Sequence, residues 1–183
     1  ELLKAPSRKW TKGPSMAAGA RWGHAATALS DGRALVTGGV TGVSVRLASA
    51  EIFDIATTSW ISVPDMALTR EQHTATLMAD GRALIAGGWN GTRSLSEVEM
   101  FDPATNSWQR TTPMGQPRWG HTATALLDGR VLVVGGAGAG DLPTETVEIF
   151  DPTSGAWMDV SPMSRPRDGR TATLLSDGRV LVI

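Results

Sequence analysis

The residue types best suited to chemistry in this chain are three histidines, His24, His73 and His121, which hold one position in successive copies of a repeat. Three ligands on one zinc-type ion must each stand about 2.0–2.1 Å from it. Equivalent positions in adjacent copies, related by rotation about a central axis, lie much farther apart. A hydrogen bond repeated in each copy explains the register better, and Arg170 replaces the fourth His. A Ser-His-Asp site would need one His in surroundings of its own, whereas all three here are repeat residues. No metal site, catalytic residue or cofactor is therefore expected.

Glu51, Glu99 and Glu148 also share one position. A carboxylate there could bind a cation, but pairing with an Arg or with backbone N–H groups of its own or the next unit is the simpler reading. Gly135 to Gly140 resembles a phosphate loop only superficially. A phosphate site needs the glycine run to open a helix, and Asp141-Leu142-Pro143 follows instead. Arg21, Arg70, Arg118 and Arg167 recur just before each His or its replacement. Placed around one mouth of a central channel, with Trp22 and Trp119 beside two of them, they would grip a carboxylate, an acidic peptide or a sugar acid. The opposing reading bonds each Arg to carbonyls or a carboxylate inside the fold. Trp89, Arg46 and Arg93 lie in variable segments and have no such periodic explanation. The candidate ligand-binding set is thus Arg21, Trp22, Arg46, Arg70, Trp89, Arg93, Arg118, Trp119 and Arg167.

The elements that must position these residues follow from the repeat. His121–Gly136 reads HTATALLDGRVLVVGG, and His24–Gly39 and His73–Gly88 are close copies. A fourth copy begins at Arg170. Trp10, Trp60, Trp108 and Trp157 keep the same spacing, as do Met16, Met66, Met114 and Met163. Within one unit, small residues over His121–Leu127 predict a crowded first strand. Asp128-Gly129 predicts a two-residue type I′ hairpin turn. The continuous apolar run in Arg130–Val134 predicts a second strand buried on both faces. Strands three and four follow at Val147–Phe150 and from Trp157 to about Val160. No stretch carries a helical stripe, so essentially no helix is expected.

A repeated four-stranded antiparallel unit of this length is a propeller blade. The double Gly after an apolar strand, the Phe-Asp about 14 residues on and the Trp about seven later resemble a Kelch repeat. The wider pattern is similar to bacterial modules grouped with the galactose-oxidase-like central domain. Departures are Phe53, Phe101 and Phe150 where the family often has Tyr, Leu3-Lys4 in the first copy, and Arg170. The fold expected is an all-β Kelch-type propeller segment. Residues 1–16 end one blade, 17–65, 66–113 and 114–162 are blades, and 163–183 supply two strands of another.

Glu1-Leu2-Leu3 aligns with Glu51-Ile52-Phe53, and Ile183 with Val134. The chain then reads either as an excerpt of a longer propeller, which the family usually builds from six or seven blades, or as a four-bladed ring whose ends share a blade. The excerpt is the expectation, with exposed edges open to self-association. Net charge is −1, so no global field draws the chain to nucleic acid or an anionic membrane. No run is long enough to insert in a membrane, and the first residue, Glu1, implies processing or cutting. The resemblance implies binding of a protein or glycan, with acidic groups favoured because eukaryotic Kelch adaptors hold acidic peptides through Arg. It also implies an extracellular or surface location. Two alternatives are a structural scaffold and the propeller part of an oxidase. The oxidases need Tyr and a Tyr–Cys cross-link, and the sequence has neither Tyr nor Cys.

Overall fold

The computed structural model describes residues 2–4, 9–42, 44–169 and 171–183. Three four-stranded antiparallel sheets follow one another along the chain. The first contains β3 (Ala25–Ala28), β4 (Ala34–Thr37), β7 (Ala50–Asp54) and β8 (Ser59–Val63). Its loop carries a small hairpin, β5 (Val40–Thr41) with β6 (Val45–Arg46). The second contains β9 (Thr74–Leu77), β10 (Ala83–Ala86), β11 (Val98–Asp102) and β12 (Ser107–Thr111). The third contains β13 (Thr122–Ala125), β14 (Val131–Val134), β15 (Val147–Asp151) and β16 (Ala156–Val160). A two-stranded sheet flanks each side: β1 (Leu2–Lys4) with β2 (Lys9–Thr11), and β17 (Ala172–Leu174) with β18 (Val180–Val182). Among the described residues β1 and β18 fall in separate sheets. The helical content among the described residues is one 3₁₀ turn, Ala139–Asp141.

The first strands β3, β9, β13 and β17 pack side by side, as the innermost strands of a propeller do. Their Ala and Thr side chains permit this crowding. The second strands carry the core. Along β10, Ala83 and Ile85 pack with Leu35 and Ile52 of the preceding blade and with Met66 of the crossover. The alternate residues Leu84 and Ala86 pack with Val131, Val133 and Phe150 of the following one. One strand thus serves two cores, which is why its apolar run does not alternate. Burying a side chain such as Leu84 or Ile85 stabilises by about 1.5–3 kcal/mol. Outside them, Phe53, Phe101 and Phe150 stack on Trp60, Trp108 and Trp157 at 4.9–5.1 Å between ring centroids. Each indole N–H donates to a carbonyl of the preceding crossover, at Pro14, Pro64 and Thr112.

The first hairpin differs from its sequence expectation. Gly129 N–H donates to the Leu126 carbonyl, and Leu126 N–H to Arg130, so the loop has three residues. Only Gly129 is left-handed, at φ +87°, as in a type I turn closed by a glycine bulge. The cause is Asp128, whose carboxylate accepts from both the backbone N–H and the Nε of Arg130. The same arrangement recurs at Asp31, Asp80 and Asp177.

The double Gly is a point of blade contact. A Cβ at Gly87, where φ is +63°, would stand 2.5 Å from the Arg118 carbonyl oxygen and 2.8 Å from His121 Cε1. Gly155 is also left-handed, at φ +68°, but faces open space. Gly155→Ala is expected to destabilise by about 1–2 kcal/mol through backbone strain alone. Gly87→Ala adds a clash and is expected to lose more than about 3 kcal/mol in urea unfolding. Equal losses would show that blade contact does not depend on this glycine.

Candidate functional site

Strand two ends and strand three begins at one end of each blade, so the connecting loops 38–49, 87–97 and 135–146 share a face with the crossovers that enter strand one. The residue after each double Gly pairs with the residue after each Arg: Val40 with Trp22, Trp89 with Glu71, Ala137 with Trp119. This face therefore carries every residue of the candidate ligand-binding set.

Three of them are not available to a ligand. Arg21, Arg70 and Arg118 have fully buried side chains. Arg70 Nη1 donates to the Gly87 and Glu97 carbonyls, and Nη2 to Glu99 Oε1 at 2.7 Å. Arg21 makes the same contacts with Gly38, Ser49 and Glu51, and Arg118 with Gly135, Thr146 and Glu148. The Glu of strand three also accepts from the start of the crossover, at Ala17, Ala67 and Gly115. Burial lowers the Arg70 pKa and Glu99 opposes that shift. The expected ring of free guanidinium groups is corrected accordingly: the carboxylate they seek is already supplied inside the blade. Arg167 keeps the backbone bonds of the series and is half-buried.

Two of the three histidines, His73 and His121, are likewise structural. His73 Nε2 shares a 2.8 Å hydrogen bond with Thr37 Oγ1 of the preceding blade, and His121 Nε2 a 3.0 Å bond with Thr74 Oγ1. Both are buried, whereas His24 is exposed. Burial pushes His73 well below the usual imidazole range, with Arg70 acting in the same direction. It pushes His121 to about 3, aided by Arg118 and opposed by the Ala86 carbonyl.

What remains on the face is uneven from blade to blade. Trp22 is 56% exposed. Arg46 reaches into the next blade, where its Nε donates to Glu71 Oε1 at 2.7 Å. Arg93 pairs with Glu97 inside its own loop and stays exposed. Trp119 Nε1 donates to Asp141 Oδ1 at 3.2 Å. Loops 87–97 and 135–146 enclose a groove of about 500 Å³ lined by Trp89, Arg93, Ser94, Pro117, Gly140 and Asp141. The structure brings Trp89 and Arg93 together there and leaves Trp22 in another blade. Asp141 escaped the sequence reading because its loop matches no other copy. Gln72 escaped it too, although it replaces a residue that is Gly23, Gly120 and Gly169 elsewhere.

The "KLHDC2/KLHL20/DRC7 Kelch-repeats domain" family matches residues 2–183. This chain belongs to the Kelch-repeat family. Kelch-repeat propellers are generally protein-interaction modules and generally non-catalytic. The fold is similar to the solved structure of YjhT, with a TM-score of 0.82 and 19% identity over 95% of this chain. The match spans 62% of the YjhT chain, less than two thirds of its length. No curated protein matches the chain.

A neutral buried His sets a sign for the Kelch blades. Unfolded His binds a proton below about pH 6.5, whereas His121 in the fold does so only near 3. Stability is therefore full above pH 6.5 and falls as pH drops from there toward 3, by up to about 1.4 kcal/mol per pH unit for each such His. In urea unfolding across that range, His121→Gln is expected to show a shallower decline. An unchanged slope would contradict the assignment.

Proposed function

We propose that this chain is a non-catalytic protein-binding module whose ligand docks on the variable-loop face, with acidic groups favoured. The observation that carries the reading is the groove between loops 87–97 and 135–146. It joins the indole of Trp89 and the exposed guanidinium of Arg93 to the hydroxyl of Ser94. A large aromatic and an Arg in a concave, partly apolar setting are the usual anchors of a protein contact. Arg46, Trp22, Trp119 and Arg167 extend the surface on either side. The periodic Trp, Arg, Glu and buried His are engaged in packing and leave this uneven set as the part of the face open to selection by a ligand. The general role of Kelch domains in protein interaction supports the same reading. Among the described residues no helix is long and apolar enough to cross a membrane.

Panning a phage-displayed random peptide library against the chain tests this. Peptides rich in Asp or Glu are expected to be enriched, and Trp89→Ala and Arg93→Ala are each expected to weaken their binding about tenfold or more, with Tm nearly unchanged for Arg93→Ala. Absence of enrichment, or binding by both variants as tight as the wild type's, would overturn the proposal.

A further inference from the structure

Gly23, Gln72, Gly120 and Gly169 hold one position at the rim of the inner strands. Their peptides form a relay from blade to blade. Gln72 N–H donates to the Gly23 carbonyl at 2.7 Å, Gly120 N–H to Gln72 at 2.9 Å, and Gly169 N–H to Gly120 at 3.0 Å. All four are left-handed, with φ of +63°, +52°, +64° and +57°. This backbone suits Gly and strains any residue with a Cβ. Thr58 and Asn106 share it, but in exposed turns at the opposite end of their blades. Gln72 is the one departure from Gly on the rim.

Nothing inside the fold explains that departure. Gln72 is exposed, and among the described residues its carboxamide makes no hydrogen bond. The side chain lies across two neighbouring blades. Its Cγ is 3.8 Å from where a Cβ on Gly23 would stand, and its Oε1 is 3.8 Å from the same point on Gly120. Bare backbone on both sides leaves the amide uncovered. The adjoining Glu71 marks the same spot as short of a donor. Its Oε1 is taken by Arg46, but Oε2 is buried without a partner and lies 3.5 Å from the Gly23 Cβ point. Trp22 and Trp119 occupy the Glu71 position in the flanking blades.

We propose that Gln72 is a specificity-determining contact that takes the backbone N–H and C=O of one residue of an extended polypeptide ligand at the channel mouth. Its Nε2 donates to the ligand carbonyl and its Oε1 accepts from the ligand N–H. In an extended segment the N–H and C=O of one residue point to the same side, whereas those of a single trans peptide group point apart, so a primary carboxamide matches one ligand residue as a donor–acceptor pair. The inference rests on the binding-module reading and adds to it a second contact point on the same face, with its own chemistry.

The sequence contains Gln72, Gln109 and Gln116, so glutamine-¹⁵N labelling yields three side-chain NH₂ pairs, and Gln72→Gly identifies one. Titration with N-acetyl-triglycine amide is expected to shift the Gln72 pair and leave the others still. Gln72→Gly is expected to raise Tm by about 2–4 °C through relief of backbone strain. A motionless Gln72 pair, or a lowered Tm, overturns the proposal. N-acetylglucosamine offers the same acetamide on a sugar, and a shift with it but not with the peptide overturns the polypeptide assignment. An alternating Glu-Gly peptide separates the two readings. Equal binding to the wild type and Gln72→Gly overturns the role of Gln72 while the binding module stands. A triglycine shift without Glu-Gly binding supports Gln72 and counts against the acidic preference.

Discussion

The buried Arg of each crossover is where two blades become one structure. The Arg70 side chain belongs to its own blade, through Gly87, Glu97 and Glu99. Its backbone belongs to the preceding blade, donating to Leu47 and accepting from Gly39. Arg118 repeats this between Leu95 and Gly88, and the Arg167 backbone between Thr144 and Gly136. A buried guanidinium is tolerated only when its donors and charge are satisfied, and here the carbonyls after strand two and the carboxylate of strand three do so. The other constants of the repeat follow from this seam. The double Gly admits the next Arg carbonyl, and Met66, Met114 and Met163 seat their methyl groups 3.0–3.3 Å from the Cβ point of its first glycine. The Glu holds the start of the crossover as well as its end.

This division of labour explains how one scaffold leaves room for recognition. The repeated residues meet the same geometric demand in every blade and are not free to vary with a ligand. Individuality appears where that demand lapses: in loops 87–97 and 135–146, at the Trp22, Glu71, Trp119 and Asp168 position, and at Gln72. Arg46 crosses from one blade to Glu71 of the next, so even the variable part is tied to the seam.

Most of the fold was legible because its signals are local. Strand two was readable as buried on both faces from the Val-Leu-Val-Val run, and β10 shows why, with alternate residues in different cores. Asp128-Gly129 marks the place of the turn but not its type, because side-chain bonding between Asp128 and Arg130 decides the loop length. The Arg series was recognised, and so was the Glu series, but their pairing is set by which strand faces the crossover. Spacing alone does not distinguish a free ring at a channel mouth from a clamp within each blade. The groove was not legible at all, since Trp89 and Asp141 come from loops of different blades with no shared pattern. Gln72 is the odd member of a glycine series, but nothing singles it out until the left-handed backbone at that position is known.

The seam is tested most directly by a double-mutant cycle on Arg70→Met and Glu99→Leu, measured by urea unfolding. Each single change strands a buried group and is expected to cost about 3–5 kcal/mol. The double variant is expected to cost clearly less than the two together, because neither partner is then left alone. Small, additive losses would contradict the account, since they would mean that the blades are joined without this pair.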